Sequence, residues 1–505
     1  MTGHWIIAPV ILPALLAPMM VLLMRQDLRL QRVFGLGGTL LLLGIAVGLM
    51  QSASVNPPQV YRLGDWPAPF GIVLVLDRLA ALMLVLTGGL ALIVQVYAVS
   101  TKWDARGRHF HVLFLFQLMG LNGAFLTGDA FNLFVFFEVL LIASYGLMIH
   151  GGGRERLRAG VQYVAFNLVG STLFLFGLAT IYSVTGTLNL ADLAVKVAAL
   201  PEGDFALIRV AGVLLLLVFA VKGALVPLHF WLPATYANAP GPVAALFAVM
   251  TKVGAYAMIR TGTLVFPPDT SATGGMFADL LLPAALITLI VGAIGVLGAG
   301  TLPRMVAFAA IASMGTVFIA IAQFTPGATA AALYYTVHST LATAALFLIA
   351  DLVLARRASG SLRHALPAMA QGGLIAGLFF ATAIAVAGMP PLSGFLGKLT
   401  ILQATRADAP VIWSVILITS LILILGLARA GSLMFWKAHQ SAEPPERHRP
   451  DRMAFASIAA LLSVLIALTL FAQPVFDYTT ATAVQLDDPA DYIAANALPA
   501  GGGRP

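Results

Sequence analysis

No cysteine occurs in this chain of 505 residues. That excludes a thiolate-bound iron–sulfur cluster, a structural zinc site of the usual kind and any disulfide. Charge is nearly as scarce: 10% of residues are Asp, Glu, Lys or Arg, against about 25% in soluble proteins. A soluble globular domain is excluded with it. Apolar residues make up 60% of the chain and fall in runs about 20 residues long, the length a helix needs to cross a bilayer. Hydrocarbon offers no water to backbone groups, so each run is expected to be a helix. The class is an all-α integral membrane protein.

Other signals are missing too. The start, Met1-Thr2-Gly3-His4-Trp5, has no basic stretch before the first apolar run. It does not read as a cleaved secretory signal. Gly151-Gly152-Gly153 lacks the following Lys-Ser/Thr of a phosphate-cradling loop. Gly35-Leu36-Gly37-Gly38 and Gly292-Ala293-Ile294-Gly295 lie in spans, where small residues let helices approach. No nucleotide, cofactor or metal site is expected. The net charge of +7 sits in short loops, which argues against a nucleic-acid partner.

The apolar runs number about fourteen. They divide into an N-terminal three-helix segment (1–109), a first five-helix repeat (110–265), a second (275–436), a last transmembrane helix (453–474) and a polar C-terminal tail (475–505). The third run is read as 71–99 and the tail as loosely ordered. Alternate loops hold Arg25, Arg29, Arg32; Lys102, Arg106, Arg108; Arg154, Arg156, Arg158; Arg304; Arg356, Arg357, Arg363; and Arg429, Lys437, Arg447, Arg449, Arg452. The opposite side holds only Arg62, Arg78, Lys196, Arg209, Arg260, Arg406 and Arg504. A missed or invented span would scramble this alternation. The positive-inside rule puts the rich side in the cytoplasm and both termini outside it.

Three lysines remain, and all lie within spans: Lys222, Lys252 and Lys398. Glu138 sits among Phe134-Val135-Phe136-Phe137 and Val139-Leu140-Leu141, and His338 lies inside the eleventh span. A charge at mid-bilayer costs at least ~2.5–3.5 kcal/mol on insertion scales. One reading is a packing pair, a single Glu and Lys neutralising each other. Three lysines cannot all be paired by one glutamate. The other reading is a relay: burial favours the neutral lysine and a nearby carboxylate the charged one, so a lysine poised between them exchanges protons. On that reading Glu138 gates Lys222, and Lys252, His338 and Lys398 continue the path. Histidine suits such a task near neutral pH, although a core histidine bonded to a carbonyl is the plainer reading of His338. Asp351, near Arg356, reads as interfacial; His229 and His150 rank below His338.

Two spans carry helix breakers. The seventh reads Lys222-Gly223-Ala224-Leu225-Val226-Pro227-Leu228-His229-Phe230-Trp231-Leu232-Pro233. The twelfth reads Gly388-Met389-Pro390-Pro391-Leu392-Ser393-Gly394-Phe395-Leu396-Gly397-Lys398. Proline inside a helix removes a hydrogen bond and clashes with the preceding turn. Pro227, Pro233, Pro390 and Pro391 are therefore expected to break helices at matching places in two halves, the pattern of inverted-repeat transporters.

With these residues in view, the chain resembles the antiporter-like subunits shared by respiratory complex I, membrane-bound hydrogenases and Mrp-type cation/proton antiporters. Phe134-Val135-Phe136-Phe137-Glu138, and His229-Phe230-Trp231-Leu232-Pro233 followed by Ala239-Pro240-Gly241-Pro242-Val243, carry the resemblance. Tyr61-Arg62-Leu63-Gly64-Asp65-Trp66-Pro67-Ala68-Pro69 and Thr251-Lys252-Val253-Gly254-Ala255-Tyr256 make it most similar to the D-type subunits of Mrp antiporters. The resemblance implies fourteen helices, two inverted five-helix repeats and a polar axis in the membrane plane. It maps the family's fifth-helix glutamate to Glu138, its seventh- and eighth-helix lysines to Lys222 and Lys252, and its twelfth-helix lysine to Lys398. Many relatives carry an eleventh-helix lysine shortly after the histidine; the comparable position here is Thr343, which either removes that step or shifts more of it onto His338.

The resemblance further implies a secondary transporter subunit, not an enzyme, working with other Mrp subunits in a bacterial cell membrane and exchanging Na⁺ or K⁺ for H⁺. The rival is a proton-pumping membrane subunit of a quinone-reducing NADH dehydrogenase or related redox complex, which would use the same buried residues. The sequence leaves open whether the cation crosses this subunit or a partner; the absence of a cage of clustered carboxylates favours a partner.

Overall fold

The computed structural model describes residues 4–357, 359–440 and 451–498. Arg447, Arg449 and Arg504, assigned to loops from the sequence, lie outside the described residues. Helices α1 (His4–Leu23) and α2 (Leu28–Val55) precede a two-stranded antiparallel hairpin, β1 (Gln59–Arg62) and β2 (Val73–Leu76). Then come α3 (Arg78–Ser100), α4 (Phe110–Leu126), α5 (Ala130–Met148), α6 (Arg154–Thr185), the short α7 (Leu190–Ala198), α8 (Phe205–Gly223) and α9 (Trp231–Asn238). The chain continues through α10 (Gly241–Phe247), α11 (Met250–Leu264), α12 (Met276–Gly298), α13 (Leu302–Ile321) and α14 (Pro326–Arg356). It closes with α15 (Gly372–Ala387), α16 (Ser393–Ala404), α17 (Ala409–Gly431), α18 (Arg452–Leu470), α19 (Ala472–Asp487) and α20 (Ala490–Ala495).

Twelve stretches among the described residues are helical, long and apolar enough to span a bilayer, and α4 and α15 are shorter apolar helices. Together they make the fourteen spans of the sequence reading, with α8–α9, α10–α11 and α15–α16 each forming one interrupted crossing. The two five-helix units each contain an odd number of crossings, so the second enters the membrane from the side opposite the first. The fourth crossing is broken in both, and in the first unit the fifth, α10–α11, is interrupted as well.

Burial is uneven, and the unevenness locates the functional core. Almost every side chain of α10, α11, α13 and α14 is buried, whereas α1, α2, α12, α17 and α18 bury about a third of theirs. The outer helices turn apolar side chains such as Leu22, Leu40, Ile294 and Leu421 outward, as a lipid-facing surface requires. Glycine sets the closest approach. A Cβ added at Gly292 would collide with the Ala312 backbone, and one at Gly315 with the Leu289 backbone. The interlocking of α12 and α13 therefore depends on missing side chains.

Two expectations are corrected. The third crossing begins at Arg78, not near 71, because Val73–Leu76 is a strand paired with β1. All four residues of that strand are buried, and a short buried strand is as apolar as membrane helix. Asp77 then caps α3 by accepting a hydrogen bond from the Ala80 N–H at 2.8 Å. The segment from 475, read as a loosely ordered tail, is helical in its described part as α19 and α20. Thr479, Thr482, Ala483, Leu486 and Tyr492 are buried against the body of the protein, so its low hydropathy reflects a docked surface helix.

A buried row of basic side chains

The first break begins one residue after α8. Ala224 adopts a left-handed conformation (φ 54°), and helix resumes only at Trp231. Pro227 lies in the interruption. Pro233, expected to break the helix, instead falls in the first turn of α9, where a missing N–H costs nothing. Carbonyls and N–H groups freed by the break find side-chain partners: the Trp231 indole donates to the Val221 carbonyl at 2.9 Å, and the Val226 N–H donates to Thr288 Oγ1 at 2.9 Å. Thr288 belongs to α12, so the break is tied to the second unit. The second break, 388–392, contains both Pro390 and Pro391.

Each basic residue singled out from the sequence is buried, and each is hydrogen-bonded. Lys222, at the end of α8, donates from Nζ to Asn167 Oδ1 at 3.0 Å and lies 5.7 Å from the centroid of the Phe137 ring. Glu138 on α5 is half-buried and accepts a short hydrogen bond from the Ser171 hydroxyl. Asn167 and Ser171 are one turn apart on α6, so a single helix face carries the partners of both. The ion pairs among the described residues are Arg32–Asp104, His111–Asp104, Lys196–Asp192 and Arg260–Asp77. A direct Glu138–Lys222 packing pair is absent from that set.

Lys252, on the almost wholly buried α11, donates to Met314 Sδ at 3.1 Å and Ser313 Oγ at 3.5 Å, both on α13. His338, on the central helix α14, shares a 2.9 Å hydrogen bond between Nδ1 and the Ser393 hydroxyl at the start of α16. Gly394 is required beside it: a Cβ there would lie 2.8 Å from His338 Nε2 and collide with the Ala385 carbonyl oxygen. Lys398, on α16, reaches back across the second break to the Ala387 carbonyl at 2.8 Å and to Ser420 Oγ on α17 at 2.8 Å. Ala387 ends α15, so its carbonyl lacks a helical partner. The lysine fills that need.

Two small cavities lie along this row. One of about 10 Å³ is lined by Lys222, Asn167, Phe137, Tyr163, Met250 and Val253. The other, also about 10 Å³, is lined by Ser313, Thr316, Tyr335, His338 and Thr343. Each is about the size that holds one water. The first connects Lys222 with Met250 and Val253, which bracket Thr251 and Lys252 on α11. The second runs from Ser313, a partner of Lys252, to His338. Thr343 stands where a relay lysine is expected from the family resemblance, and it lines the second cavity beside His338.

Sequence reasoning missed the neutral partners. Asn167, Ser171, Ser313, Ser393 and Ser420 are ordinary polar residues in apolar helices, and only packing shows which of them meets a charge. It also underrated Asp351, which is buried and accepts hydrogen bonds from Tyr97 Oη at 2.8 Å and from Trp103 Nε1 at 3.0 and 3.1 Å. Arg356 bonds instead to the Leu352 carbonyl and to Gln371. His150 is a core histidine, its Nε2 2.8 Å from the Trp103 carbonyl, and His229 packs beside Phe230. Neither joins the row.

A row of buried, hydrogen-bonded basic side chains crossing two oppositely inserted units of broken helices defines a polytopic, ion-translocating membrane subunit. The family described as NADH:quinone oxidoreductase/Mrp antiporter, TM, matches residues 127–423, and the chain belongs to it. It is 39% identical to the D subunit of a probable K(+)/H(+) antiporter from Rhizobium meliloti, over 97% of this chain and 96% of that one. It is 37% identical to the D subunit of a Na(+)/H(+) antiporter from Bacillus subtilis, over 98% and 99%. Among solved structures, a chain of the Mrp complex from Dietzia sp. DQ12-45-1b superposes with a TM-score of 0.88 at 30% identity, covering 98% of this chain and 100% of that one.

Proposed function

We propose that this chain is the D-type, proton-translocating subunit of a multisubunit antiporter exchanging Na⁺ or K⁺ for H⁺ across a bacterial cell membrane. The basic loops face the cytoplasm and both termini lie outside it, as the positive-inside rule requires. The observation that carries the reading is the row Lys222, Lys252, His338 and Lys398, with one water-sized cavity at Lys222 and another at His338. Protons pass along it by hopping between successive bases and intervening water, and Glu138, across the α6 rung from Lys222, biases the first step. Each net charge moved inward gains about 2.3 kcal/mol per 100 mV, so a membrane potential drives cation efflux through the complex. The cation itself takes a path through a partner subunit. The names of the two relatives, both D subunits of antiporters, favour antiport over redox-driven pumping.

The test is transport by the whole gene cluster expressed in a host lacking its own antiporters. Inside-out vesicles carry a respiration-generated proton gradient, and a pH-sensitive dye reports whether added Na⁺ or K⁺ dissipates it. Wild type is expected to respond, and Lys222→Ala and Glu138→Ala, confirmed as assembled, are not. An assembled wild-type complex that ignores both cations would sink the antiporter reading in favour of the redox-linked one.

A further inference from the structure

Two turns along α11 from Lys252 lies an ion pair that the relay does not use. Arg260 Nη2 is 2.6 Å from Asp77 Oδ2, and both side chains are almost wholly buried. Asp77 does two jobs: Oδ1 caps α3 at the Ala80 N–H while Oδ2 meets the guanidinium. Arg260 is layered between aromatic rings, its Cζ 5.6 Å from the Tyr256 centroid and 5.1 Å from that of Tyr492. Tyr256 lies one turn from each of Arg260 and Lys252 on the helix, between them, and donates to the Phe125 carbonyl at 2.6 Å. At a rise of about 1.5 Å per residue, Lys252 and Arg260 stand about 12 Å apart along α11.

The closure above this pair is supplied by the C-terminal segment. Tyr492, on α20, is buried over Arg260. Among the described residues its hydroxyl is without a hydrogen-bond partner, as is Arg260 Nε. The segment is anchored beside Asp77: Gln485 accepts from the Arg78 N–H at 3.1 Å, and the Tyr478 hydroxyl donates to the Arg78 carbonyl at 2.9 Å. Gly128 makes room for the tyrosine, since a Cβ there would lie 3.3 Å from its hydroxyl oxygen. Replacing a buried ion pair by packed apolar residues is often neutral or stabilising, so the pair is a weak stabiliser for its position. Its location, between the far end of α11 and the surface, gives it a different use.

We propose that Asp77, Arg260 and Tyr492 form an outer gate that closes the extracellular approach to Lys252 and admits water when the ion pair parts. The gate deepens the proton-route reading and rests on it for its purpose, but its test measures water access and not transport. While paired, the two groups and the rings around them fill the path and exclude water, and Tyr256 is the hydroxyl between gate and lysine. The unpartnered Tyr492 hydroxyl and Arg260 Nε supply hydrogen bonds to water entering the opened site.

The chain has no cysteine, so one introduced thiol reports access on this subunit. Met314→Cys puts it at the position whose sulfur lies 3.1 Å from Lys252 Nζ. In right-side-out vesicles holding the whole complex, a small membrane-impermeant methanethiosulfonate is added outside, and labelling of the purified subunit is followed by mass. With the gate intact, labelling is expected to be slow. Asp77→Asn, which keeps the helix cap, and Arg260→Gln are expected to speed it at least about tenfold, and Tyr492→Phe several-fold. Equal rates in all assembled variants, or fast labelling with the pair intact, overturn the gate. Should the charge variants fail to assemble, Tyr492→Phe decides alone, by a rise or by none. A complex that shows gated labelling but no antiport would refute the proposed function and leave the gate standing.

Discussion

The two broken crossings solve one problem in different ways. In the first unit the lysine precedes the break, and its partner is a side chain from a neighbouring helix, Asn167 of α6, with Ser171 and Glu138 one turn further along. In the second unit the lysine follows the break and bonds to the break itself, at the Ala387 carbonyl, and to Ser420. The first arrangement places an acid near the lysine through one face of α6. The second fixes the lysine with two neutral groups, one of them backbone. A shared topology therefore seats one lysine near an acid and the other on neutral groups alone.

The sharpest way to break this contrast is to remove the lysine that stands near the acid. Lys222→Ala is expected to lower cation-dependent proton movement about a hundredfold or more, the scale of losing an essential acid–base group. Lys398→Ala should leave measurable activity if the second lysine is a terminal station. Next comes the neutral partner of each lysine. Asn167→Leu takes a hydrogen bond from a group that carries charge during transfer, a loss of about 1.5–3 kcal/mol, or tenfold and more in rate. Ser420→Ala leaves Lys398 with the Ala387 carbonyl, and about 0.5–1.5 kcal/mol, or a few-fold, is expected. Vesicle assays at matched complex content check all four. Equal losses for Asn167→Leu and Ser420→Ala would erase the distinction between the two ends.

The smallest effect on transport is expected away from the row, at Asp104 in the loop between α3 and α4. Burial pushes the Asp104 carboxyl up, but hydrogen bonds from His111 and Arg32 outweigh it and hold the group below the usual carboxylate range. A depressed folded-state value means stability that is present above the unfolded carboxylate value, near 3.9, and lost as pH falls through the folded one. Asp104→Asn should lower the thermal stability of the purified complex by about 1–3 kcal/mol at neutral pH. Transport at permissive temperature should be unchanged. The difference from wild type should shrink on acidification below about pH 4.

Much of this was legible in the sequence because the bilayer imposes strict rules. Apolar runs, alternating basic loops and prolines inside spans each follow from the cost of unpaired polar groups in hydrocarbon. The same cost makes Lys222, Lys252 and Lys398 conspicuous. It hides other features. Val73–Leu76 satisfied the hydropathy of a span although it is a buried strand. Helices α19 and α20 looked like a tail because a helix docked outside the hydrocarbon need not be apolar all round. Serines and asparagines inside helices carry no signal of their own, since each can bond back to its own helix.

Composition and spacing alone determined that the chain is a many-crossing membrane protein, where two of its crossings break, and that Lys222, Lys252, His338 and Lys398 lie in the interior. These are local consequences of chain chemistry meeting a low-dielectric solvent. Tertiary structure decided who meets whom: Asn167 and not Glu138 on Lys222, a backbone carbonyl on Lys398, and Tyr492 over the Asp77–Arg260 pair. Most of those contacts join residues far apart in the chain. Their partners are chosen by how helices pack, and no local pattern encodes that choice.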